Sequence, residues 1–301
     1  MRLLSLRGDN DDVTWEEFPK HAIPQYAILS HTWDTDEVSF SDLIDGSGRQ
    51  KAGWRKIIFC GQQAARDGLD YFWVDTCCID RWNKREREKA INSMFSWYQS
   101  AVQCYVFLAD VSTASAADAG QRSSWETSFC ASKWFKRGWT LQELIAPASI
   151  QFFSREGHML GNKSTLEQLI HEVTKVPVAV LRGCSLEDFS TSERLQWAAG
   201  RDTTEPEDGA YCLLGLVGVQ LPLTYGEGKE KAMIRLRDAL EVTSAPCILP
   251  YSRNERFVGR QSQVAELEAA LFHGKQHLNN RMAIVSRASR LVDITKMLVM
   301  I

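Results

Sequence analysis

The sequence predicts an α/β protein: a parallel sheet flanked by helices, with a helical C-terminal elaboration. Three observations predict it. Short apolar runs at residues 26–30, 71–75 and 104–108 are rich in aromatic and β-branched residues, as strands buried on both faces are. Amphipathic helical patterns lie between them, and each connection is long enough for a crossover rather than a hairpin, so the strands are expected to be parallel. Beyond about residue 155, helix-start signals replace strand patterning.

Taken in order, Tyr26-Ala-Ile-Leu-Ser30 is the first strand, bounded by Pro24 and by His31-Thr-Trp-Asp34. Met1 to Asn10 offers only a short apolar patch and is assigned no strand. Trp54, Ile57, Ile58, Gly61 and Ala64-Ala65 share one helical face, and Gly68 is placed as the stop. Tyr71-Phe-Trp-Val-Asp75 is the second strand. A second helix puts Ile91, Met94, Phe95, Tyr98, Ala101 and Val102 on one face, and Cys104-Tyr-Val-Phe-Leu108 is the third strand. A polar loop at 112–121 precedes an aromatic, basic stretch from Trp125 to Trp139. Thr140-Leu-Gln-Glu-Leu-Ile-Ala146 then runs to Pro147, and Ile150-Gln-Phe-Phe153 is the fourth strand. Ser164-x-x-Glu167, Ser190-x-x-Glu193 and Thr204-x-x-Glu207 have capping-box form. A long amphipathic helix at about 229–242 ends this part, Pro246 and Pro250 mark a linker over 243–256, and one helix and one strand follow within 257–301.

Composition narrows the function. Lys+Arg is 35 against Asp+Glu 38, a net charge of −3, which gives no electrostatic footprint for nucleic acid or anionic membrane. No apolar run approaches the roughly 18 residues of a membrane span, and no signal-peptide pattern opens the chain. Eight cysteines, at 60, 77, 78, 104, 130, 184, 212 and 247, form no C-x-x-C pair. They read as reduced thiols of a cytoplasmic protein with no structural metal site.

The motifs then carry a resemblance. Tyr26-Ala-Ile-Leu-Ser-His-Thr-Trp33, Gly68-Leu-Asp-Tyr-Phe-Trp-Val-Asp-Thr-Cys-Cys-Ile-Asp80 and Arg137-Gly-Trp-Thr-Leu-Gln-Glu-Leu-Ile-Ala-Pro147 resemble the first three blocks of the fungal heterokaryon-incompatibility (HET) domain. Gly200-Arg-x-Thr-Thr-x-x-Glu-Asp-x-Ala-Tyr-Cys-Leu-Leu-Gly215 and Leu223-x-Tyr-Gly-Glu-Gly228 resemble its trailing blocks. The domain is placed at 1–242, with a core at about 20–155 and a helical region at about 156–242. The resemblance implies a cell-death effector in nonself recognition. It also implies a core similar to Toll/interleukin-1 receptor-like (TIR) domains, five-stranded parallel flavodoxin-like folds, some of which cleave NAD. NAD is then an expected substrate, with no cofactor required, and self-association is an expected interaction. Phe257-Val-Gly-Arg-Gln261 and the helix after it resemble the entry to an NLR-like nucleotide-binding domain, which makes an NLR-like receptor an expected partner. Ser286 to Lys296 has no glycine and no G-K-[ST], so this start is truncated and no ATP affinity is expected of it.

Glu143 is the residue on which the chemistry turns. Trp139-Thr-Leu-Gln-Glu143-Leu144 resembles the TIR pattern whose glutamate is catalytic, with Thr140 where that pattern has cysteine. A carboxylate there would offset the charge of an oxocarbenium-like state. Thr140-x-x-Glu143 is equally a capping box, in which Glu143 only satisfies backbone N–H groups. Ser30, His31 and Trp33 fall on the first-strand loop, Asp75 at the carboxyl end of the second strand, and Trp139 beside Glu143; all are candidate substrate-binding residues. His31 could equally be a satisfied imidazole under an aromatic plug, and Arg201 either meets a substrate phosphate or salt-bridges Asp202–Asp208. Cys77 or Cys78 could act as a thiol nucleophile with His31 as base, or simply fill space at the sheet edge.

Overall fold

A computed structural model describes residues 1–7, 12–113 and 123–244, all within the first of two units of the chain, Met1–Ala245. The expected nucleotide-binding start at 257–301, its missing phosphate loop and the linker from 245 onward lie outside the described residues.

The strands are β1 (Arg2–Arg7), β2 (Asp12–Glu17), β3 (Tyr26–His31), β4 (Tyr71–Trp73), β5 (Gln103–Phe107), β6 (Ile150–Phe153) and β7 (Met159–Asn162). They form one sheet in the order β2-β1-β4-β3-β5-β6-β7. β3 pairs in parallel with β4 and β5, and β5 with β6. The parallel centre therefore runs second, first, third, fourth, as flavodoxin-like sheets begin. The α/β expectation holds, and so does the parallel pairing of the three diagnostic strands.

Three expectations are corrected. The fifth position is held by β7, antiparallel to β6, rather than by another parallel strand, so the region after 155 is not purely helical. Residues 2–7 form a strand: β1 pairs antiparallel with β2 and docks antiparallel on β4, burying Leu3 and Leu4 completely. The second strand stops at Trp73, and Asp75 opens a helix instead of ending a strand.

The helices are α1 (Phe40–Asp45), α2 (Trp54–Arg66), α3 (Asp75–Cys78), α4 (Lys84–Ser100), α5 (Ser123–Ala131), α6 (Thr140–Ile145), α7 (Glu167–Thr174), α8 (Val178–Leu181), α9 (Thr191–Gln196), α10 (Asp208–Tyr211), α11 (Leu214–Val217) and α12 (Lys229–Ser244). Successive strand residues face opposite sides of a sheet, which explains the layering. Phe107 and Phe153 meet Phe59 of α2 on one side. Trp73 meets Trp97 and Tyr98 of α4, and Phe152 meets Trp134, on the other. All six residues of β3 are buried, as a strand covered on both faces must be.

Of the capping boxes, only that at Ser190 and Glu193 forms. α7 starts at Glu167 with Leu166 as its cap residue, because Thr165, not Ser164, closes the preceding turn on Asn162. Glu207 caps nothing through Thr204. Its Oε1 accepts the backbone N–H groups of Gly226 (2.8 Å) and Gly228 (2.7 Å), both at positive φ, which folds the Tyr-Gly-Glu-Gly turn onto α10.

Candidate functional site

Ser30 and His31 are consecutive at the carboxyl end of β3, so their side chains leave on opposite faces of the sheet. Ser30 points to the α4–α6 side, where its hydroxyl donates to Oε2 of Glu143 and accepts from Nε1 of Trp134 at 2.8 Å. His31 points to the α2 side. Its Nε2 lies 3.6 Å from Glu37 and its Nδ1 3.9 Å from Asp75. Lys56 of α2, only 2% exposed, pairs with Glu37 and bonds Asp34 at 2.9 Å and the Thr32 carbonyl at 3.1 Å. Burial acts to raise the Glu37 pKa, but His31 and Lys56 outweigh it and hold the group down at about 2. This ionised carboxylate behind His31 was not legible in the sequence.

The capping alternative for Glu143 does not survive. The residue that caps α6 is Trp139, with no side-chain bond to the helix end. Thr140 turns its hydroxyl away, donating to the carbonyls of Trp134 and Arg137. Every residue of α6 is buried, and Glu143 is 5% exposed. Burial, then the charge of Asp75, push its carboxyl up to about 8, against the hydroxyls of Ser30 and Tyr98 and the charge of Arg137. A carboxyl so placed is largely protonated at neutral pH and takes up negative charge when a cation arrives.

A cavity of about 200 Å³ opens above these groups at the carboxyl ends of β3 and β4, the end of a parallel sheet at which α/β proteins hold ligands. His31, Asp75, Trp139 and Glu143 line it, with Trp33 at the edge. Ile79, Ile91 and Met94 form an apolar wall. The indole of Trp33 donates to Oδ2 of Asp75 at 2.8 Å, while burial raises the Asp75 pKa. Six of the seven residues singled out in the sequence thus converge, Ser30 through its bond to Glu143. Arg201 does not reach the cavity. Its guanidinium lies behind the wall, bonded to the Arg137 carbonyl (2.9 Å) and the Thr140 hydroxyl (3.0 Å), so its role here is to hold the start of α6. It makes no ion pair with Asp202 or Asp208.

The trailing segment supplies residues that the sequence did not mark as part of a site. Arg137 and Asp202 form a parallel bridge, Gly138 N–H donating to the Asp202 carbonyl at 2.8 Å. A Cβ on Gly138 would come 2.5 Å from Thr203 and 3.1 Å from Cys212, so only glycine permits this approach. It brings Asp208 against Trp139, whose indole donates to Oδ2 at 2.9 Å, and Tyr225 onto Oδ1 at 2.8 Å. Arg81, Arg87 and Arg137 complete the rim.

Cys77 and Cys78 are buried, and Cys78 Sγ accepts the Val74 N–H. Cys77 is bonded within its own turn, and its neighbour Cys78, then burial, hold its pKa well above that of a free thiol, the opposite of an activated nucleophile. Among the described residues no group of three or more His, Cys, Asp and Glu could hold a metal ion, and no helix is long and apolar enough to cross a membrane.

Residues 26–128 match the family described as heterokaryon incompatibility protein (HET). The chain is 53% identical over 242 residues to vegetative incompatibility protein HET-E-1 of Podospora anserina, covering 80% of this chain and 18% of that protein. No solved structure matches significantly. Residues 26–128, which hold β3, β4 and β5 with Ser30, His31, Trp33 and Asp75, are the segment similar to the heterokaryon incompatibility family, and the chain spans less than a fifth of the length of the incompatibility protein it matches.

Proposed function

We propose that this chain is the cytoplasmic cell-death effector region of a fungal heterokaryon incompatibility protein, and that it acts by cleaving the nicotinamide–ribose bond of NAD in a TIR-like site. The observation that carries the chemistry is Glu143: a buried carboxyl at the floor of a cavity, fixed by the side chain of Ser30 and bound to no helix end. In NAD the nicotinamide ring is cationic. Its arrival would favour the ionised form of Glu143. As the C1′–N bond breaks, the electron pair leaves with nicotinamide and positive charge passes to C1′ and the ring oxygen. Glu143 would stabilise that charge. Water then adds to C1′ and gives up one proton, yielding ADP-ribose and nicotinamide. Expression in a fungal host tests the link to death: the wild-type chain should lower cellular NAD before viability falls, and Glu143→Gln at equal abundance should do neither.

A second reading is a non-enzymatic module that signals by self-assembly. It is favoured by Trp82, 87% exposed beside the cavity. Trp82→Ala should then abolish death, and the wild-type chain should kill without lowering cellular NAD.

A further inference from the structure

The cavity floor and its rim hold polar groups that the bond-cleaving chemistry does not use. Both ring nitrogens of His31 and Oδ1 of Asp75 are buried without a hydrogen bond among the described residues: Nε2 faces Glu37 at 3.6 Å and Nδ1 faces Oδ1 of Asp75 at 3.9 Å, distances too long for one. Buried polar atoms are almost always paired, and each left unpaired costs about 1–3 kcal/mol. His31 and Asp75 both line the cavity, so the missing partner is one that enters it. The side-chain nitrogens and oxygen left open call for a ligand that both donates and accepts, as sugar hydroxyls do.

The rim calls for the opposite charge. Arg81 lies 4.4 Å from the ring centroid of Trp33, and Arg87 lies 4.1 Å from that of Tyr225. Among the described residues neither guanidinium is in an ion pair. Arg137 spends one nitrogen on the Thr204 hydroxyl at 2.9 Å. Stacking fixes the plane of a guanidinium and leaves its edge N–H groups free, the arrangement that suits bidentate phosphate binding. The aromatic partners are themselves anchored in the cavity, Trp33 on Asp75 and Tyr225 on Asp208. Three cations are therefore held around the mouth against one exposed acid there, Glu205, while Asp75 and Glu143 lie deeper. Burial raises the pKa of Asp75, Glu143 and Asp208, which lessens their opposition to an anion.

We infer that the cavity binds a ribose diphosphate, with the diphosphate on Arg81, Arg87 and Arg137 and a ribose hydroxyl between His31 and Asp75. This rests on the proposed NAD chemistry only for naming the ligand's origin, since it concerns binding and not bond cleavage. Titration calorimetry of the 301-residue chain with ADP-ribose, which has no bond to nicotinamide left to break, tests it. ADP-ribose should bind and adenosine should not, and affinity should fall as salt rises. Arg81→Gln and Arg87→Gln, both on surface side chains whose loss leaves the core intact, should each weaken binding about 10- to 100-fold. Absence of ADP-ribose binding, or binding indifferent to both arginine changes, overturns the inference. If ADP-ribose binds as expected while NAD is never cleaved, the binding inference stands and the catalytic proposal fails. If NAD is cleaved but neither arginine matters for binding, the reverse holds.

Discussion

The hydroxyl of Ser30 donates to the carboxylate of Glu143, 113 residues further along the chain. One residue ends the central strand and the other lies on a buried helix after the third parallel strand. The same hydroxyl accepts from the Trp134 indole, so a single oxygen joins strand, aromatic core and carboxyl.

Ser30→Ala therefore breaks two buried contacts at once. It should destabilise the domain by about 1–3 kcal/mol, because the Trp134 N–H and the Glu143 oxygen are both left unpaired. It should also move the Glu143 pKa further up, since the Ser30 bond favours the ionised form. Urea unfolding at two pH values separates these effects. A variant as stable as wild type would show that the contact is not formed in solution.

The pH dependence has a definite sign. Glu143 titrates at about 8 in the folded chain and near 4.5 in the unfolded one, so between those values the folded state binds more protons. Its contribution to stability is fully present below about pH 4.5 and is lost as pH rises through about 8. Glu143→Gln, which cannot ionise, should gain stability relative to wild type as pH rises across this window. Denaturant midpoints of the two proteins from pH 5 to pH 9 check this; parallel curves would contradict a raised pKa.

Gly138→Ala should be strongly destabilising for the addition of one methyl group, because Gly138 is buried. The added carbon meets Thr203 at 2.5 Å and Cys212 at 3.1 Å, and relief requires the trailing segment to move away from Trp139. The expected result is a lower melting temperature with a loss of about 1–3 kcal/mol and loosened protection of the Asp208 region to hydrogen exchange. Unchanged protection there would mean that the two segments do not dock as described.

The thiols offer an inexpensive check. Cys77 and Cys78 are buried and should resist alkylation in the native chain, while exposed Cys184 reacts. Peptide mapping after brief iodoacetamide treatment reads this directly. Rapid labelling of Cys77 would revive a nucleophilic role.

Much of the parallel centre was legible because strands covered on both faces leave unbroken apolar runs, as 26–30, 71–75 and 104–108 do. β2 was not, because all of its residues but Val13 are exposed, Trp15 included, and Asp12, Glu16 and Glu17 make the stretch read as loop. β7 pairs through Gly161 and Asn162, residues with weak strand preference, and is held by its neighbour β6 rather than by its own pattern. Ser30, His31 and Asp75 could be gathered from strand ends, since parallel topology places those ends together, and Glu143 from the resemblance of Trp139-Thr-Leu-Gln-Glu143 to the TIR pattern. Asp208 and Tyr225 could not, because they reach the cavity only through the docking of residues 202–228 on Gly138, a long-range contact with no local periodicity. The Thr140-x-x-Glu143 box misled for the same reason: the capping pattern is local, whereas Ser30 and Trp134 impose a tertiary competitor that wins the side chains.

The most direct test of the catalytic account is nicotinamide release by the purified, concentrated chain incubated with NAD. The wild-type protein should release nicotinamide and ADP-ribose in equal amounts, with a rate that rises as Glu143 ionises toward about pH 8. Glu143→Gln keeps the shape and can still accept the Ser30 hydrogen bond, so the fold should persist while the rate falls roughly 10²–10³-fold. Nicotinamide released at the wild-type rate by a folded Glu143→Gln protein, or none released by wild type under any condition in which the chain is folded and concentrated, would contradict it.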